Sequence, residues 1–298
     1  MHTLRTRGFT LIEMVVSITL ISLLAVAAAP MLRLPLAGWM DASRRSSLAH
    51  AIDAIDSRLR DDMRRAMPNS VRVRQVGARV LLETLELRSW GRHRVGATPA
   101  AAACPAACSG HNDALESGCA AEQCFASFGP LQGDPPVAGD WVVVNPMTPS
   151  GLAASRDPYF GGNAALNGEV RSRLVSVAPG AGGQVVRINP HRFPSLSPSQ
   201  RFYVVATPVT WDCDPGTQRL TRRSGYAVSQ VQPIAFAGAS SALLADRITS
   251  CSIAYAAISP VNPRGGQVQL RIQLTALDSM NLPEQAQLSA SYAVTEDR

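Results

Sequence analysis

Hydrophobic and polar positions follow three different periods along this chain. From Phe9 to Ala29 the residues are apolar or small and uncharged, with Glu13 as the one ionisable side chain. A run of about 21 such residues crosses a bilayer as a helix. Further on, Leu48, Ile52, Ile55, Leu59 and Met63 recur at steps of four, three, four and four. That spacing draws one apolar face of an amphipathic helix. The other face carries Arg44, Arg45, Asp53, Asp56, Arg58, Arg60, Asp61, Asp62, Arg64 and Arg65, which reads as a solvated surface. Pro35 and Gly38 threaten a kink or break between the two halves. Pro68 and Asn69 close the second half. The expected element is a helix over 9–66, with its first half in a membrane and its second half on a globular domain.

The rest of the chain alternates with period two. Val71 and Val73, then Val80–Leu82, Leu85 and Leu87, predict two strands around a turn at Gly77. Residues 96–139 change character: a low-complexity Ala patch, four Cys, and frequent Gly and Pro predict a long Cys-rich loop tied by its own cysteines. Trp141–Val144 is a short apolar strand, and 147–168 is another loop. Val170–Val177 and Gln184–Ile188 pair as a hairpin across 179–183. Arg201–Val209 leads through an Asp214-Pro215-Gly216 turn to a return strand at Arg219–Arg222. A strand over Arg247–Ala256 follows, then strict alternation at Val268, Leu270, Ile272 and Leu274. The last strand carries Leu288, Ala290, Tyr292 and Val294, reached through a loop at Asn281-Leu282-Pro283. A helix followed by antiparallel strands gives an α+β fold, the helix packed on an antiparallel sheet.

Arg5 and Arg7 precede the apolar run, so the positive-inside rule places the N-terminus in the cytoplasm and the bulk of the chain beyond the membrane. A secretory signal peptide would end in an Ala-x-Ala site, which Ala25-Val26-Ala27 and Ala27-Ala28-Ala29 match loosely. A plain anchor gives no reason for a carboxylate near the start of the span, where a charge is costly. Cleavage after Gly8 does: it leaves the α-amine of Phe9 one helical turn from Glu13, where amine and carboxylate can neutralise each other. The stretch Gly8-Phe9-Thr10-Leu11-Ile12-Glu13 behind a short basic leader resembles the class III signal of type IV pilins and pseudopilins. The resemblance implies that a prepilin peptidase cuts between Gly8 and Phe9 and methylates Phe9, and that Glu13 serves assembly. It also implies a kink at Pro30.

The resemblance divides the chain into a leader at 1–8, the helix at 9–66, and an extracytoplasmic β-rich globular domain at 67–298. Asp61–Val73, Arg201–Val209 and Leu220–Tyr226 are similar to the MshO-type minor pilins of mannose-sensitive haemagglutinin (MSHA) pili. They are similar, less closely, to PilW-type minor pilins and to J-type pseudopilins of type II secretion. This implies a minor pilin that initiates or caps a filament, with the J-like pseudopilin and a tip-presented adhesin as alternatives. Its partners would be prepilin peptidase, other minor and major pilins, and the pilus assembly machinery. It would sit in the inner membrane with a single pass and a periplasmic C-terminal domain, and in the pilus after assembly.

The net charge is +6, and every basic side chain is Arg because the chain has no Lys. These Arg residues are scattered and not interleaved with aromatics, which speaks against nucleic acid as a partner. Six Cys in an exported domain read as disulfides. Cys213 ends one strand and Cys251 lies in the next core strand, so these two are expected to pair. Cys104, Cys108, Cys119 and Cys124 are expected to pair among themselves. With His111 they form a weaker zinc candidate, lacking the tight Cys-x2-Cys spacing. Asp212, Asp214 and Gly216 resemble the start of a calcium loop, without its later ligands. No Gly-x-Ser-x-Gly, His-Glu-x-x-His or Lys-bearing phosphate loop occurs, and His2, His50, His93, His111 and His191 show no metal-like pairing. The chain therefore reads as a structural subunit and not an enzyme, with no cofactor.

Overall fold

The computed structural model describes residues 10–95, 114–116, 119, 121–147, 156–160, 169–180, 182–257, 265–278 and 280–295. Gly8, Phe9, Cys104, Cys108 and His111 lie outside them. The first element, α1, runs from Leu11 to Arg64 and is helical throughout, including Pro30, Pro35 and Gly38. No break interrupts the helix at Pro35 and Gly38, and its 54 residues measure about 81 Å at 1.5 Å per residue.

The chain forms two compact units. One holds the helix up to His50 together with Ala276–Gln285, the turn region between the last two strands. There Arg44 Nη1 donates to the Leu277 carbonyl at 3.0 Å, and Arg45 pairs with Glu284.

The other unit holds Ala51–Thr275 and Ala286–Arg298. At its centre lie two 14-residue strands, β2 (Arg79–Arg92) and β8 (Arg201–Asp214). They run antiparallel in register from Val80 opposite Cys213 to Arg92 opposite Arg201. Each centre strand has split neighbours. β1 (Arg72–Val76) and β4 (Gln132–Gly133) share the far edge of β2, while β5 (Trp141–Val144) and β9 (Arg219–Ser224) share that of β8. The sheet continues from β5 through β6 (Arg171–Gly180) and β7 (Gly183–His191) to β3 (Glu122–Ala126), and from β9 to β10 (Ser240–Asp246). A separate three-stranded sheet orders β11 (Ile248–Ala257), β12 (Gly265–Leu277) and β13 (Pro283–Thr295).

Both faces of β5 and β8 are covered, which is why Trp141–Val144 and Phe202–Val205 are apolar without alternation. Val142, Val144, Phe202 and Val204 pack with Phe125, Leu174, Val186 and Phe193 on one side. Trp141, Val143, Tyr203 and Val205 pack with Met67, Leu85 and Tyr159 on the other. Ile55, Leu59 and Met63 of α1 are buried, as their spacing requires.

Two sequence readings need correction. Residues 96–139 are not loop throughout: they contain β3 and β4, and they deliver Leu115 and Phe125 to the core beside β5. Short strands between turns carry too few residues for alternation to show. The charged face of α1 is also not uniformly solvated, because Asp62 is only 5% exposed. Besides Arg58, one turn earlier on α1, its partners come from β8 and β9, which no helical pattern reveals.

Candidate functional site

The chain enters α1 through Thr10. The backbone N–H groups of Glu13 and Met14 donate to the Thr10 carbonyl at 3.1 and 3.2 Å, and Glu13 N–H lies 3.4 Å from Thr10 Oγ1. In return, Thr10 N–H and Oγ1 each lie 3.5 Å from Glu13 Oε2, the outer limit of a hydrogen bond. This is the reciprocal arrangement of a capping box, Thr at the N-cap and Glu three residues on. It satisfies helix-end N–H groups that would otherwise be unpaired. A carboxylate here also meets the positive end of the helix dipole. Sequence reasoning assigned Glu13 a role but missed Thr10, although the Thr-x-x-Glu spacing was the available signal.

Beyond the cap, Leu11–Ala28 forms a stretch long and apolar enough to cross a membrane, none of it buried by the rest of the chain. Its hydroxyl groups are turned inward on the helix. Ser17 Oγ donates to the Glu13 carbonyl at 2.7 Å, Thr19 Oγ1 to Val16 at 2.9 Å and Ser22 Oγ to Ile18 at 2.7 Å. With those groups satisfied, the surface offered outward is hydrocarbon, as a lipid or helix-bundle environment demands.

The remaining candidates take structural positions. Cys213 and Cys251 form a disulfide that ties β8 to β11, with Cα atoms 6.4 Å apart. Cys119 and Cys124 are also disulfide-bonded, so neither offers a thiolate to zinc. Asp212 receives Arg79 at 2.6 Å and Arg223 at 2.9 Å, and these two guanidiniums hold its carboxyl below the usual range against the effect of burial. Asp214 accepts from Gly216 N–H and Thr217 Oγ1 within its own turn. Both carboxylates thus already have partners within the fold.

Several buried groups give stability a pH dependence, Glu83 and Glu122 in one direction and His93 and His191 in the other. Glu122 on β3 is 1% exposed and accepts from the backbone N–H groups of Glu116 and Cys124 at 3.4 Å. Burial pushes its pKa up to about 7 against the pull of those donors. The folded chain then keeps a proton that the unfolded chain has released. Stability from this group is full below the ordinary carboxylate pKa and is lost as pH rises through about 7. Buried His93 and His191 have lowered pKa values and act oppositely, losing stability as pH falls. A difference measurement isolates the Glu. Urea unfolding of Glu122→Gln against the parent from pH 5 to 8 should show the variant gaining with pH, by on the order of 2–3 kcal/mol in total. A difference that stays flat across that range would contradict the assignment.

Comparison with known proteins bears on the same end of the chain. Residues 4–29 match the prokaryotic N-terminal methylation motif. No curated protein and no solved structure matches the chain. The matched motif and the capped, uncovered apolar helix together support a type IV pilin-like protein, a subunit of a pilus or pseudopilus.

Proposed function

We propose that this chain is a minor pilin of an MSHA-type pilus, held in the inner membrane by α1 before assembly and helping to initiate or cap the filament. The observation that carries this is the Thr10–Glu13 cap opening an uncovered apolar helix inside the methylation motif. Prepilin peptidase cuts between Gly8 and Phe9 and methylates the new amine. The span of α1 then joins those of the other pilins, and the domain at 67–298 faces the periplasm. The finer, MSHA-type assignment rests on the sequence resemblance of Asp61–Val73, Arg201–Val209 and Leu220–Tyr226.

Mass spectrometry of the purified protein tests the processing step. The expected N-terminus is Phe9 carrying one methyl group. A mature N-terminus near Pro30 would identify an ordinary signal peptide and remove the pilin reading. A gene neighbourhood of secretion components in place of pilus components would instead favour the J-type pseudopilin.

A further inference from the structure

The turn between β12 and β13 is apolar where turns are ordinarily polar. Leu277 and Leu282 are each 56% exposed and Met280 is 73% exposed. The backbone beneath them is fixed. The Asp278 carboxylate accepts from Met280 N–H at 2.8 Å and Leu282 N–H at 2.7 Å, Asp278 N–H donates to the Leu282 carbonyl at 2.9 Å, and Asn281 takes a positive φ of 61°. These bonds fix the turn while Leu277, Met280 and Leu282 stay exposed. Clustered exposure of this kind marks a contact surface.

Its seat on α1 indicates the contact. Arg44 holds the Leu277 carbonyl, and Arg45 holds Glu284. Those anchors lie only four to six residues beyond Met40 and Trp39, about 6–9 Å along the helix axis. Trp39 is itself 71% exposed. From Leu11 to Met40 the only ionisable residues are Glu13 and Arg33. That stretch measures about 45 Å, the thickness of a bilayer with its headgroups. Trp39 then falls in the outer interfacial layer, where Trp is enriched, and the turn is anchored between one and two helical turns further along α1. Among the described side chains near Trp39, Arg44 pairs with Asp41 and Arg45 with Glu284, so neither calls for an anionic headgroup.

We propose that the β12–β13 turn is a second membrane contact: Leu277, Met280 and Leu282 enter the outer interface of the bilayer that α1 spans. The proposal rests on α1 being a membrane span. It adds a contact that must be released when the subunit leaves the membrane.

Full-length protein in phosphatidylcholine vesicles, with and without phosphatidylglycerol, and with brominated acyl chains as quencher, tests it. Met280→Trp and Leu282→Trp are compared with Leu243→Trp on β10, an exposed position in the other compact unit. Each added emission is read as the difference from the parent, and Trp39 as the difference between the parent and Trp39→Phe. The expected result is loss of the Met280→Trp and Leu282→Trp emission to an extent comparable with Trp39. Leu243→Trp should remain unquenched, with no dependence on phosphatidylglycerol or on protein-to-lipid ratio. Quenching of Trp39 with the turn behaving like Leu243→Trp would overturn the proposal and leave the span intact. Failure of the protein to float with vesicles, with Trp39 unquenched, would remove the span and the proposal together. A blue shift of the turn emission without bromine quenching, appearing only at high protein-to-lipid ratio, would assign the surface to a second copy of the chain and overturn the lipid contact.

Discussion

Replacing Glu13 by Ala is expected to leave the protein inserted and cleaved but unable to restore filaments in a single-copy complementation assay. Glu13 is the one ionisable side chain between Phe9 and Ala29. In the cleaved chain it accompanies a cation at Phe9, and within a bundle of such helices an unpaired charge is costly. At roughly 2.5–3.5 kcal/mol, pairing Glu13 with the amine of a docked neighbour would favour the correct axial register about a hundredfold over a slipped one. The apolar residues around it supply area but little register. The capping box gives Glu13 a second role, and two variants separate the roles. Glu13→Gln keeps an acceptor for the Thr10 cap but has no charge, so it should fail like Glu13→Ala. Thr10→Ala weakens the cap and keeps the charge, so filaments should form. Full piliation with Glu13→Ala would show that the register argument does not hold for this subunit. Piliation with Glu13→Gln alone would reduce the role of Glu13 to capping.

Asp62→Ala is expected to lower the stability of the globular unit by about 3–5 kcal/mol, the range for removing one partner of a buried ion pair. The Asp62 carboxylate accepts from Trp211 Nε1 at 2.8 Å, and from Arg222 through Nε at 2.7 Å and Nη2 at 3.1 Å. Trp211 is 1% exposed, so its N–H would lose its acceptor with no water at hand, and the half-buried Arg222 would lose its counter-charge. Asp62→Asn retains an acceptor for Trp211 without neutralising Arg222, so it should fall between parent and Asp62→Ala. Urea unfolding followed by Trp fluorescence measures the series. A loss below about 1 kcal/mol for Asp62→Ala would place this carboxylate with the weak surface pairs. The same contact fixes the last turns of α1 to β8 and β9, so the loss should be accompanied by faster amide exchange at residues 58–66.

The α+β arrangement was readable because long alternating or 3.6-period segments declare themselves. Val268, Leu270, Ile272 and Leu274 point to one face of β12, and Ile55, Leu59 and Met63 to one face of α1. β3 was not readable, since Glu122–Ala126 is five residues inside a Gly-, Pro- and Cys-rich stretch. β10, Ser240–Asp246, lies at the outer edge of β9 with mostly exposed side chains, so burial imposed no pattern on it. The loop at Asn281-Leu282-Pro283 was recognised as a connection, but the exposed Leu277, Met280 and Leu282 gained meaning only from the anchoring of that region at Arg44 and Arg45.

The amino-acid sequence by itself determined the N-terminal device. Arg5 and Arg7, the Gly8-Phe9 pair, the Thr10–Glu13 spacing and the apolar stretch are consecutive, and their physics is local: a helix cap, a charge and a length. Tertiary structure alone decided which charged residues became interior. Asp62 meets Trp211 and Arg222 across 149 and 160 residues of chain, and Arg44 meets Leu277 across 233. Separations of that size leave no period in the sequence. A carboxylate bound for the core and one bound for solvent look alike until the strands that will surround them are in place.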